Sequence, residues 1–153
     1  GSSSTSAVGS VTVQTANVIA APTGISATPS VGSVTVVSNV TNYAVTVATG
    51  TNVYGTGNKF YIDGSVSPTL TLSEGNTYWF DQSDSTNSGH PLRFSTTANG
   101  THGGGVEYTT GVTTTGTPGS AGAYTKITVA SGAPTLYYYC TNHSGMGGQA
   151  NTP

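Results

Sequence analysis

The chain has 153 residues, a formal net charge of -2 and only 5 % charged side chains. That length allows one ordinary domain with a remainder, and neither sign of charge is strong enough to recommend nucleic acid or an anionic membrane as a partner. A single cysteine excludes an internal disulfide framework, and no apolar run approaches a bilayer-spanning length.

Residues 1–42 contain neither an aromatic nor a charged side chain. Within them the hexapeptide Val8-Gly9-Ser10-Val11-Thr12-Val13 returns as Val31-Gly32-Ser33-Val34-Thr35-Val36. Both copies alternate with period two and read as short strands, joined through Pro22, Gly24 and Pro29. So few large apolar groups cannot build a core. The segment is therefore expected to be an extended β arm or linker, set before a domain over 43–153. It lacks the lysines and inward charges that blunt a strand edge, so it is suited to donor-strand exchange with another copy. The plain alternatives are a linker within a longer fibre, or extra strands on the same sandwich.

From Tyr43 the strand signal strengthens. Tyr43 to Ala48 alternates, and Lys59-Phe60-Tyr61-Ile62 runs into an Asp63-Gly64 turn that predicts a hairpin. Thr69 to Leu72 follows Pro68, and Thr77-Tyr78-Trp79-Phe80 is dense enough in large side chains for a core strand. A polar loop from Asp81 ends at His90, and Leu92-Arg93-Phe94 resumes the alternation. A Gly/Thr-rich excursion covers 95–122; Ala123 to Val129 then alternates, and Thr135 to Cys140 is expected to be the last strand. About seven strands with turns between them predict an all-β sandwich.

Chemistry concentrates after that last strand. Cys140, His143 and Met146 offer a thiolate, an imidazole and a thioether within seven residues, donors of the softness that copper prefers. A loop leaving a strand end can curl all three around one point. A second imidazole must come from elsewhere, and His90, about to enter a strand, is the candidate. Two histidines and a cysteine with a weak axial methionine describe a type 1 copper site for one ion. The plain readings are a small buried side chain for Cys140 and a gap-filler for Met146. His102 lies in a Gly-rich loop with no partner pattern and reads as solvent-exposed.

On these residues the chain resembles the cupredoxins, the plastocyanin-like and amicyanin-like blue-copper family, over about residues 55–148. The pattern is a histidine opening one strand, here His90, then a strand-end Cys140 and a ligand loop with His143 and Met146. The gaps on both sides of His143 are similar to the short amicyanin loop. The resemblance implies a Greek-key sandwich and a copper site made by those four residues. One departure is Pro91, where cupredoxins usually carry an asparagine whose amide helps fix the cysteine loop. The stretches 88–94, 116–125 and 137–148 also look like modules in structural and tail proteins of marine phages, which implies a fibre or virion component.

Other chemistry is sparse. Asp63, Glu74, Asp81, Asp84 and Glu107 form no acid/base pair, and Asp81, Asp84 and Asn87 read as turn caps rather than a Ca2+ site. No enzymatic signature appears, and the chain is not read as an enzyme. The expected function is a structural subunit of an extracellular fibre, filament or phage tail that carries a cupredoxin-type copper site and self-associates. The expected location is extracellular or on a virion surface, since Thr/Ser/Asn/Gly surfaces are usual there. The alternatives are a type 1 copper electron-transfer protein, or an adhesin module that uses surface glycans as partners.

Overall fold

The computed structural model describes residues 3–6, 11–14 and 39–153. It divides into two compact units, Gly1–Asn39 and Val40–Pro153. In the first, β1 (Ser3–Ser6) pairs antiparallel with β2 (Val11–Gln14), with Ser3 opposite Gln14. The second hexapeptide copy, Val31–Val36, lies outside the described residues, as does most of the arm on which strand exchange was expected.

The second unit is an all-β sandwich of two mixed sheets. Its strands are β3 (Val40–Asn52), β4 (Gly55–Ile62), β5 (Ser65–Val66), β6 (Leu70–Thr71), β7 (Thr77–Asp81), β8 (Leu92–Ser95), β9 (Glu107–Tyr108), β10 (Val112–Thr115), β11 (Tyr124–Thr128), β12 (Leu136–Cys140) and β13 (Gly148–Asn151). One sheet has the order β10-β11-β7-β3-β4-β5 and the other β6-β13-β12-β8-β9. Pairing is antiparallel except for β3 with β7 and β13 with β6. Among the described residues no helix is long and apolar enough to cross a membrane.

Alternation along the strands explains the core. Val45 and Val47, Phe60 and Ile62, Tyr78 and Phe80, and Ile127 point inward from the larger sheet. They meet Leu92 and Phe94, Leu136, Tyr138 and Cys140, and Ala150 from the other. Each large side chain buried this way contributes about 1.5–3 kcal/mol before entropy is charged against it. The Asp63-Gly64 turn forms as predicted. Both residues have positive φ, 48° and 82°, which matches the twist of the β4–β5 hairpin.

Three sequence expectations need correction. The strand at Thr135–Cys140 is not the last one, because β13 follows it. Gly148-Gln149-Ala150-Asn151 has no β-branched or aromatic residue; it becomes a strand because β12 and β6 supply ladder partners on both sides. The excursion over 95–122, to which no strand was assigned, contains a 3-10 turn at Gly100–Gly103 and the edge strands β9 and β10. And β3 is longer than its alternating centre, since Val40–Ala44 pairs with β7 before Val45–Asn52 pairs with β4.

Candidate metal centre

β12 ends at Cys140, opposite Leu92 of β8, so the residues just ahead of β8 lie beside the loop that follows Cys140. His90 is among them. Its N–H donates to the Asn87 carbonyl at 2.8 Å, after a tight 3-10 turn capped by Asp84. Pro91 cannot donate, and the buried Gln82 side chain spans it: Nε2 donates to the His90 carbonyl (2.8 Å) and Oε1 accepts from Leu92 N–H (3.0 Å). Gln82 is itself held by Asn87, which is fully buried and donates to the Val45 carbonyl. The backbone of the His90 strand is thus fixed from the opposite sheet.

The Cys140 side chain is buried, with His90 partly covered and His143 exposed at the surface. Cys140 Sγ lies 3.8 Å from His90 Nδ1 and 3.7 Å from His143 Nδ1. The two imidazoles are 4.6 Å apart between centroids and tilted by 48°. All three donor atoms fall within 4.8 Å of one another. For metal–sulfur and metal–nitrogen bonds of about 2.3 and 2.0–2.1 Å, a trigonal angle of about 120° places sulfur and nitrogen about 3.8 Å apart. The observed sulfur–nitrogen separations fit that value. The group can therefore hold a metal ion.

Electrostatics fit as well. Burial lowers the His90 pKa, with the nearby His143 adding to the effect, which favours the neutral imidazole that a metal ligand requires. Burial raises the Cys140 pKa, while the Asn142 and His143 N–H groups directed at the sulfur oppose the rise. Those two donors suit a thiolate once a cation has displaced the proton.

Met146 is 1 % exposed and belongs to the core cluster, and its carbonyl accepts from Phe60 N–H (2.9 Å) and Ser67 Oγ (3.0 Å). The loop between Cys140 and β13 is pinned all along. Asn142 Nδ2 donates to the Gly89 carbonyl at 2.9 Å, and Thr141 N–H to the Pro91 carbonyl at 3.1 Å. Asn142 thus reaches from the loop back to the histidine turn.

Several residues of this frame were missed by sequence reasoning. Lys59 is only 3 % exposed, and its ammonium donates to the Gly145 carbonyl at 2.6 Å. Asn52 Nδ2 donates to the same carbonyl (3.0 Å) and to that of Gly147 (3.3 Å). Asn99, in left-handed backbone at φ 61°, accepts from Gly145 N–H and donates to Ser144 Oγ. His102 is exposed as expected but not without a partner: its Nε2 lies 2.9 Å from the Cys140 carbonyl, and its ring stands edge-on to Tyr139. The one available signal was a lysine heading the apolar run Phe60-Tyr61-Ile62. Asp81 and Asp84, by contrast, behave as turn caps, accepting from Ser83 N–H and from Thr86.

Burial also pushes the Lys59 pKa down. Between that lowered value and the ordinary 10.5 the unfolded chain binds more protons, so this group's contribution to stability rises with pH across that window and is lost as pH falls through it. Lys59→Met should flatten that rise in denaturant midpoints measured across alkaline pH. At neutral pH it should cost little stability or add to it, because Asn52 still satisfies the Gly145 carbonyl and a buried charge is removed. A steeper pH rise in the variant would contradict this account.

Fold and site together define an all-β sandwich with a candidate His-Cys-His metal centre. Comparison with protein families, with curated proteins and with solved structures finds no match to this chain.

Proposed function

We propose that this chain is a mononuclear copper protein of the cupredoxin kind, working as a one-electron carrier, in which His90, Cys140 and His143 would hold the ion and Met146, on the same loop, would be the further weak ligand. The observation that carries the reading is the pair of Sγ–Nδ1 separations, 3.8 and 3.7 Å, around a buried thiol. Thiolate and imidazole in a trigonal set, with a thioether on the same loop, favour copper over zinc, which takes closed tetrahedral sites. Bound copper supplies a Cu(I)/Cu(II) couple. The protein's own residues do the rest. Cys140 gives up its proton and is shielded from solvent. Gln82 and Asn142 hold the two histidine-bearing segments in one geometry. The exposed edge of His143 is where a redox partner makes contact.

Copper titration of the purified chain tests this by visible absorption and electron paramagnetic resonance. An intense thiolate-to-copper band that saturates at one equivalent is expected, and no such band would overturn the assignment.

A second reading starts from the arm. Its β1–β2 pairing supports strand formation in residues that cannot build a core. On this reading the chain is a module of an extracellular fibre, filament or phage tail, and copper acts as a staple that stabilises the sandwich by mass action. Deleting residues 1–38 should then abolish ordered assembly, and intact filaments from the truncated chain would refute it.

A further inference from the structure

The larger sheet carries a second candidate site on its outer face, sharing no residue with the metal group. Tyr78 and Phe80 of β7 face the core, so alternation turns Trp79 and Asp81 outward. Register then sets Asn42 of β3 and Lys126 of β11 on the two sides of Trp79, and places Tyr124 opposite Asp81. The Trp79 and Tyr124 rings, half-exposed, pack 4.3 Å apart at 50°. The Lys126 ammonium rests 5.0 Å from the Trp79 ring centroid.

Beside this aromatic pair opens a cleft of about 240 Å³, walled by Trp79 and Tyr124 and edged by Asn42, Asp81 and Ser83. Gly122 and Ala123 form its low side and add no bulk. One Asp81 oxygen accepts from Ser83 N–H, and the side chain is exposed at the cleft's edge. The Asn42 amide has no side-chain hydrogen bond among the described residues, though its backbone is paired to β7. The lining is therefore an apolar aromatic wall bordered by polar side chains.

That combination suits a ligand with an apolar face and a polar rim. A pyranose ring has both: its C–H groups carry partial positive charge and pack against the electron-rich face of an aromatic ring, while its hydroxyls project sideways. The volume lies below the roughly 300–1,000 Å³ of clefts for drug-sized ligands, which limits it to a single ring. The Asp81 carboxylate disfavours phosphates, uronates and other anions at this position. We propose that the cleft binds one uncharged hexopyranose ring, such as the terminal ring of a neutral glycan. Trp79 and Tyr124 form its stacking wall, and Asn42 and Asp81 bond its hydroxyls. This does not rest on the copper reading and holds for the metal-free chain.

Trp79 is the only tryptophan in the chain, so its fluorescence reports on this cleft alone. The full chain is titrated with methyl glycosides of glucose, galactose, mannose and N-acetylglucosamine. At least one should give a saturable change, with half-saturation at roughly millimolar concentration. Asn42→Ala should weaken that binding by about tenfold through loss of one hydrogen bond, and Tyr124→Ala should abolish it. The proposal is overturned if none of the four glycosides gives a saturable response by fluorescence and by ligand-observed magnetic resonance. It is equally overturned if a responding sugar binds Asn42→Ala and Tyr124→Ala as well as the parent.

Discussion

On the copper reading proposed above, replacing Cys140 with serine should abolish the thiolate-to-copper band and lower copper affinity by more than the roughly 10–100-fold that changes outside the ligand set typically cost. Cys140 is the only sulfur donor among the three close ligand atoms, and both imidazoles are placed around it. A serine hydroxyl is a hard, weakly acidic donor and does not replace a thiolate for a soft ion. The fold should survive. The oxygen is smaller than sulfur, and the Asn142 and His143 N–H groups that point at the sulfur can donate to it instead. Denaturant unfolding of the metal-free variant should therefore stay close to the parent, while copper titration shows no intense band. A Cys140→Ser protein that retained both the band and the affinity would remove the metal assignment altogether.

The largest effect on stability is expected at Gly147. A β-carbon there would collide with the Tyr138 carbonyl oxygen and lie 3.1 Å from the Tyr139 Cα. Neither can yield easily, because Tyr138 is paired with Gly148 on one side and Phe94 on the other, in the middle of the smaller sheet. Gly147→Ala should thus cost about 3 kcal/mol or more. For a chain of this size that lowers Tm by roughly 6–12 °C, measurable by calorimetry. The same residue sits between Met146 and β13, and its carbonyl is one of those held by Asn52. On the same copper reading, titrating the folded variant with copper should give altered resonance parameters. An unchanged Tm would mean that β12 and the ligand loop are not packed as described.

Lys59 illustrates why part of the site was not visible in the sequence. In chain order it is an ordinary charged residue opening a strand signal. It becomes part of the metal loop's frame only because β4 packs where the loop from Cys140 passes, 86 residues later. Gln82 and Asn87 are similar: two polar residues in a polar loop, buried because the loop folds back over β3 and must satisfy the backbone around Pro91. β13 was illegible for a different reason. Its residues carry no intrinsic strand preference, and two neighbours impose the conformation.

What the sequence determined by itself is local. Period-two alternation defined the inward faces of β3, β4, β7, β8, β11 and β12. Asp63-Gly64 set a hairpin turn, and the spacing of Cys140, His143 and Met146 put three soft or borderline donors on one short loop. These follow from side-chain type and backbone geometry over a few residues. The tertiary structure alone decided that His90, 50 residues before Cys140, comes within 3.8 Å of its sulfur. It alone decided that Pro91 is spanned by a glutamine and that the loop is tied to the histidine turn through Asn142. The physical reason is that those contacts depend on strand pairing between distant segments, and sequence spacing carries no information about which strands become neighbours in a sheet.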